Sequence, residues 1–282
     1  MAKQIGFIDF YISEWHANNY PKWIAEATAA LDEEFVVKYA WAEENVSPLD
    51  GVTTAEWCEK MGVTMCSTIE EVCERADYLL VLAPSNPEKH LAYAETVLKY
   101  GKNTYIDKTF APDFATAQRI FDIAAEHGTK FFSTSALRYA TELEFFEGAR
   151  SLLVQGCGSN LDEYIIHQIE MTVKLLRDKA THVRVERQGE NQYISSIKFE
   201  GGAGATLTFA PVMPYAICAE NAEGKAVHKA IVSPYFKSLI ADILRFYLTG
   251  EVSFDTAETL EVMRIREAIV NGKNTPGEWK AL

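Results

Sequence analysis

Glu163 and His167 stand four residues apart in a stretch with helical periodicity, so both side chains fall on one helix face. A histidine there suits proton transfer, because its pKa lies near working pH. Glu163, one turn earlier, could orient the imidazole or a substrate. The same pair also reads as a surface ion pair or as a packing histidine. Lys108 ends a short strand, where its plainest reading is a lysine whose stem snorkels along the surface. Cys58, Cys66, Cys73, Cys157 and Cys218 make an odd count with no C-x-x-C pair, which predicts reduced thiols rather than a disulfide framework. No His/Cys cluster has metal-ligand spacing, so no metal site is expected.

These groups must be positioned by a chain of 282 residues, enough for one large domain or two ordinary ones. Its 48% hydrophobic content supports a buried core. A formal charge of −13 argues against nucleic acid and anionic membrane as partners, since phosphate binding needs clustered Lys and Arg. No apolar run reaches bilayer-spanning length, and MAKQIGFIDF reads as the start of a strand rather than a leader, so a cytoplasmic location is expected.

The first half alternates strand and helix. Ile5–Phe10, Phe35–Trp41, Val63–Cys66, Tyr78–Ala83, Asn103–Ile106 and Lys130–Ser133 read as strands. Pro21–Leu31, with proline at its first turn, reads as a helix. So do Thr54–Met61, ended by Gly62, and a segment opened by a capping box at Ser67-Thr-Ile-Glu70. Pro87–Tyr100 and Asp113–His127 complete the set. This pattern predicts a Rossmann-like doubly wound parallel sheet over residues 1–136, with ligands beyond the carboxyl ends of its strands. Residues 137–282 read as an α+β domain with a mostly antiparallel sheet. Helices are expected around Thr141–Arg150, Leu161–Leu176, Pro234–Leu248 and Thr256–Asn271. Strands are expected at His182–Gln188, Tyr193–Phe199, Ala205–Ala210, Tyr215–Glu220 and Ala226–Ile231, separated by Gly and Asn turns.

Several stretches resemble the Gfo/Idh/MocA (glucose–fructose oxidoreductase / inositol dehydrogenase-like) oxidoreductase family, in the family's own order. Ala83-Pro-Ser-Asn-Pro-Glu-Lys-His90 is similar to its T-P-N-x-x-H segment. Gly101-Lys-Asn-Thr-Tyr-Ile-Asp-Lys-Thr109 is similar to G-K-H-V-x-x-E-K-P. Phe132–Tyr139 resembles the exit from the nucleotide domain, Glu163-x-x-x-His167 the D-x-x-x-H motif, and Phe254–Ala268 the closing helix. The resemblance implies NAD or NADP as cofactor and a small sugar- or polyol-like substrate. It implies that Lys108 contacts the reacting oxygen, that His167 is the general base, and that Glu163 assists. Pro84, Asn86, His90 and Asp107 would line the cofactor side, with His90 and His16 structural by default. It also implies a homo-dimer or homo-tetramer formed through the C-terminal sheet.

The chain departs from the family where the phosphates would lie. The fingerprint G-x-G-x-x-G is replaced by Asp9-Phe-Tyr-Ile-Ser-Glu14, and no glycine occurs between Phe7 and Pro48. Those glycines permit the tight turn and the close approach of backbone to pyrophosphate. Phe10 and Tyr11 would crowd that space and Asp9 would repel a phosphate, while Ser13 could still cap a helix and offer donors to an anion. The ribose-binding acid after the second strand is also missing. Trp41 could stack on adenine and Glu43 could meet the ribose instead. The reading that follows is an NAD(P)-dependent oxidoreductase acting on a sugar, polyol or similar hydroxyl/carbonyl compound, with an altered phosphate grip; the alternatives are a non-redox relative that binds a sugar-like ligand without a dinucleotide, and an enzyme of another class using acid–base chemistry such as elimination.

Overall fold

The computed structural model describes residues 2–31, 33–220 and 224–282. Six strands form the first sheet: β1 (Lys3–Asp9), β2 (Phe35–Ala42), β3 (Thr64–Met65), β4 (Tyr78–Val81), β5 (Thr104–Ile106) and β6 (Phe131–Phe132). All pair in parallel, in the order β3-β2-β1-β4-β5-β6. The Rossmann-like reading is therefore correct. Ile5, Phe7 and Ile8 of β1 and Leu79, Leu80 and Val81 of β4 are buried, as central strands covered on both faces require.

The helices α1 (Trp15–Thr28), α2 (Thr54–Met61), α3 (Ile69–Arg75), α4 (His90–Val97) and α5 (Phe114–His127) connect them. Helix α1 begins six residues earlier than expected, because Glu14 caps it and Pro21 lies inside the helix rather than in its first turn. The cap of α3 is also one residue on from the expected box: Thr68 Oγ1 accepts from Glu71 N–H (3.1 Å). Pro87–Lys89 and Leu98–Tyr100 are 3₁₀ turns flanking α4, so the long helix expected there is in three pieces.

The second sheet holds β7 (Ser151–Gly156), β8 (Ala180–Gly189), β9 (Gln192–Phe199), β10 (Gly204–Phe209), β11 (Ala216–Glu220), β12 (Ala226–Ala230) and β13 (Trp279–Ala281). Its order is β12-β11-β7-β10-β9-β8-β13, and among the described residues only β7 and β10 of this sheet pair in parallel. Strands β7 and β13 were not expected. The helix predicted over 141–150 is instead a 3₁₀ segment, Thr141–Phe146, leading into β7. Helices α6 (Leu161–Tyr164), α7 (Ile166–Leu176), α8 (Tyr235–Thr249) and α9 (Ala257–Gly272) complete the chain.

Two compact units result: residues 1–133 with 239–254, and 134–238 with 255–282. Most of α8 thus belongs with the first sheet, where the Tyr247 hydroxyl donates to Leu79 O (2.7 Å) and its ring stacks on Tyr78. Among the described residues no helix is long and apolar enough to cross a membrane.

Candidate functional site

In the first unit the carboxyl ends of β1, β4 and β5 bring Asp9, the 83–86 turn, Asp107 and Lys108 together. Asp9 is buried, and its Oδ1 accepts from Phe10 N–H (2.7 Å) and from Ala83 N–H (3.0 Å). Lys108 Nζ donates to Pro84 O (2.9 Å). The turn between these two clamps is strained, since Ala83 has φ +47°, a conformation that costs a non-glycine residue about 1–2 kcal/mol. Lys108 and Asp9 therefore fasten this turn from opposite sides, whatever else they do.

Burial pushes the Asp9 carboxyl well above the usual carboxylate range, with the nearby Glu14 and Asp107 adding to the shift against two opposing backbone hydrogen bonds. A carboxyl whose pKa is higher folded than unfolded keeps its proton where the unfolded chain has lost it. Its contribution to stability therefore falls as pH rises toward the folded value. We expect Asp9→Asn, which cannot ionise, to gain stability over the wild type as pH is raised from about 4 to 8. Urea midpoints across that range, unchanged in their difference, would contradict this.

The start of α1 decides the fit of a dinucleotide. Glu14 Oε2 accepts from His16 N–H (2.8 Å), and Glu14 Oε1 accepts from Ala17 N–H. These are the donors a helix start offers to a phosphate, and the chain's own carboxylate holds them. Ser13 does not cap the helix as expected. Its hydroxyl donates to Asp50 Oδ2 (2.8 Å) and its carbonyl accepts from Ser47 Oγ (2.8 Å). A phosphate about 4 Å from Glu14 would meet about 4 kcal/mol of repulsion per charge pair at an effective dielectric near 20. The attraction of the helix dipole, about 0.3–1 kcal/mol, does not offset that.

On the adenosine side the candidate residues bond one another. Lys89 pairs with Glu43 and lies 4.8 Å from the centre of the Phe10 ring. The Tyr93 hydroxyl donates to Glu43 Oε2 (2.7 Å), and Trp41 packs edge-on against Tyr93 (5.8 Å). Tyr11 lies against Phe10. Glu43 and Trp41 are thus engaged with side chains of the same unit. Asn86 bonds Glu88 (3.1 Å), and His90 is fully buried with its ring nitrogens at Leu82 O (2.7 Å) and Phe110 O (3.0 Å), a fastening rather than a lining. The residues present do not fit a dinucleotide held in the family's manner.

The second unit carries His167 and Glu163. They stand on α7 and α6, which break apart at Ile165. His167 Nδ1 is 2.7 Å from Ser135 Oγ, and the rings of Tyr164 and Tyr215 flank the imidazole at 5.9 and 5.8 Å. Glu163 bonds Asn160, which caps α6 (N–H to Oδ1, 2.9 Å). The Tyr215 hydroxyl donates to Cys157 O (2.9 Å). Behind Ser135, buried Glu170 accepts from Ser135 N–H, Thr134 Oγ1 and Arg138 Nε. Gly156 and Gly158 make the site possible. A Cβ on Gly156 would lie 2.6 Å from the Tyr215 ring, and one on Gly158 2.1 Å from Tyr164.

Sequence reasoning missed Glu14, Ser135, Tyr164 and Tyr215. Glu14 was hidden because serine is the preferred cap type and Ser13 stands beside it. The small residues of Gly156-Cys-Gly158 were the available signal for the two tyrosines.

This is a two-unit α/β protein with a Rossmann-type first sheet. The model of the Gfo/Idh/MocA oxidoreductase family, with its NAD-binding Rossmann fold, matches residues 43–135. The match begins after β1, α1 and β2, so the altered phosphate segment lies outside it. An uncharacterized oxidoreductase of Escherichia coli K12, YhhX, is 34% identical over 62 residues, which are 22% of this chain and 18% of that protein. In fold the chain is similar to GenD2 from gentamicin A biosynthesis, solved in complex with NAD, with a TM-score of 0.78, 13% identity and coverage of 100% of this chain and 96% of that one. It is also similar to an inositol dehydrogenase homologue of Azotobacter vinelandii complexed with NADH and myo-inositol, with a TM-score of 0.76, 12% identity and coverage of 100% and 98%. The resemblance read from the sequence is borne out over residues 43–135, which match the family's model, and the fold is similar to that of these two structures along the whole chain.

Proposed function

We propose that this chain is a non-redox relative within an NAD-binding oxidoreductase family, binding a small sugar- or polyol-like ligand without a dinucleotide. One observation carries the reading: the donors at the start of α1 are held by Glu14 rather than left for a phosphate. The groups we assign to ligand contact are His167, Tyr164 and Tyr215, all in the second unit. Two tyrosine rings beside an imidazole suit a molecule with an apolar C–H face and hydroxyl edges. Association of copies through the exposed face of the second sheet, where Leu153 of β7 is 55% exposed, belongs to the same proposal.

Calorimetric titration with aldoses, ketoses and inositols tests it. A ligand should bind with an affinity that millimolar NADH does not change, and His167→Ala should weaken it about tenfold, roughly 1.4 kcal/mol. Binding that requires a dinucleotide would contradict the reading. It would favour an NAD(P)-dependent oxidoreductase for the same ligand class, which the presence of Lys108 within the matched family segment supports.

A further inference from the structure

Glu14, His16, Asp107 and Lys108 all lie in the first unit and form a line of ionisable groups. Glu14 Oε2 is 3.0 Å from His16 Nδ1, which holds the Nδ1 proton toward the carboxylate and leaves the lone pair on Nε2. Nε2 lies 3.8 Å from Asp107 Oδ2, and Lys108 Nζ lies 4.0 Å from the same oxygen. Asp107 Oδ2 is buried and has no hydrogen-bond partner, while Asp107 Oδ1 accepts from Tyr105 (3.4 Å). The Tyr20 ring packs edge-on against His16 (5.4 Å), and its hydroxyl is buried without a partner. Leaving a buried carboxylate oxygen and a buried hydroxyl unsatisfied is costly, and such groups collect where chemistry is done. His16 and Lys108 keep a thin exposed edge, 11% and 8% of their side chains, against 1% for Asp107.

We propose that this set carries out cofactor-free proton transfer on a hydroxy-carbonyl compound, the enolisation of an aldose or ketose. The inference rests on the reading that no dinucleotide occupies these strand ends. Lys108 donates a hydrogen bond to the carbonyl oxygen. His16 Nε2 takes the proton from the adjacent hydroxyl-bearing carbon. The C–H electron pair becomes the carbon–carbon double bond of an enediolate, and the carbonyl π pair moves onto the oxygen that Lys108 holds. The proton on His16 exchanges with solvent, and His16 then delivers a solvent-derived proton to the same carbon, giving exchange, or to the former carbonyl carbon after a proton moves between the two oxygens, giving isomerisation. Nothing is oxidised or reduced, and no co-reactant is consumed. Asp107 is a positioning residue that stabilises the imidazolium as it forms, and Glu14 fixes the tautomer.

The full chain is incubated with a panel of aldoses and ketoses in D₂O without nicotinamide, and loss of the proton signal at the carbon next to the carbonyl is followed by NMR. At least one compound should exchange about a hundredfold faster than in buffer. His16→Gln should return the rate to the buffer level, and so should His16→Asn, a smaller change, with circular dichroism showing that each is folded. Asp107→Asn should lower the rate about tenfold and shift the acid limb of the pH–rate profile. The charged and titratable groups around His16 include Glu14, which caps α1, Tyr20 of α1, and Asp107 after β5, with Lys108 beside Asp107. No exchange across the panel, exchange undiminished in both folded His16 variants, or an Asp107→Asn profile identical in shape to the wild type would overturn the proposal. Absent exchange with sugar binding intact would leave the non-redox reading standing, whereas micromolar NADH binding would overturn that reading itself.

Discussion

Arg138→Ala is expected to destabilise the protein by about 3–5 kcal/mol, the usual cost of leaving a buried charge without its partner. Arg138 is 4% exposed and bonds two carboxylates, Glu170 Oε1 through Nε (2.5 Å) and Glu258 Oε2 through Nη2 (2.6 Å). Glu170, 3% exposed, would keep Thr134 Oγ1 and Ser135 N–H as hydrogen-bond partners. Two hydrogen bonds from neutral donors, each worth about 0.5–1.5 kcal/mol net, do not offset a lost buried counter-charge. Arg138→Lys keeps the charge but loses the fork, so it should fall between. Urea unfolding of the wild type and both variants reads the effect, and a loss below about 1 kcal/mol for Arg138→Ala would contradict the account. The consequence reaches His167, because Glu170 also holds the backbone of Ser135, whose hydroxyl meets the imidazole.

Gly158→Ala should leave the protein folded while weakening ligand binding by about tenfold or more. The added Cβ would lie 2.1 Å from Tyr164 Cγ and 2.2 Å from Tyr164 Cβ. A contact to Cβ cannot be relieved by rotating the ring, so the short helix α6 must shift. Overpacking of this kind costs about 1–3 kcal/mol and would move Tyr164 away from the imidazole it flanks. Titration with whichever sugar or polyol the wild type binds gives the result, and an unchanged affinity would remove Tyr164 from the site.

The first sheet was legible because its signals are local and repeated. Continuous apolar runs such as Tyr78–Val81 and the helix-ending Gly62 and Gly128 each specify an element without help from distant contacts. Boundaries failed where two local rules competed. Pro21 marked a helix start by its preference for the first turn, yet Glu14 supplied the cap and the helix ran through the proline. Strands β7 and β13 were missed for a different reason. Their pairing partners are distant in sequence, and β7 follows a stretch with helical composition that folds only as 3₁₀ turns.

The candidate site was legible in part. Motif order singles out Lys108 and His167, but what each touches depends on tertiary placement. Lys108 holds Pro84 O, and His167 meets Ser135, 32 residues away. His16 was assigned a structural role because its partner Asp107 arrives from another strand. The missing glycines correctly marked residues 8–16 as altered. The sequence could not show that a carboxylate five residues past β1 bonds the N–H groups at the helix start, since this depends on where α1 begins.

The most direct test of the central claim is titration of the purified chain with NADH and NADPH, following energy transfer from its five tryptophans to the nicotinamide. With Glu14 holding the donors at the start of α1, neither dinucleotide should saturate the protein below about 1 mM, equivalent to a binding free energy weaker than about −4 kcal/mol. Saturable binding of either one at micromolar concentration would show that Glu14 gives way to phosphate and would contradict the account.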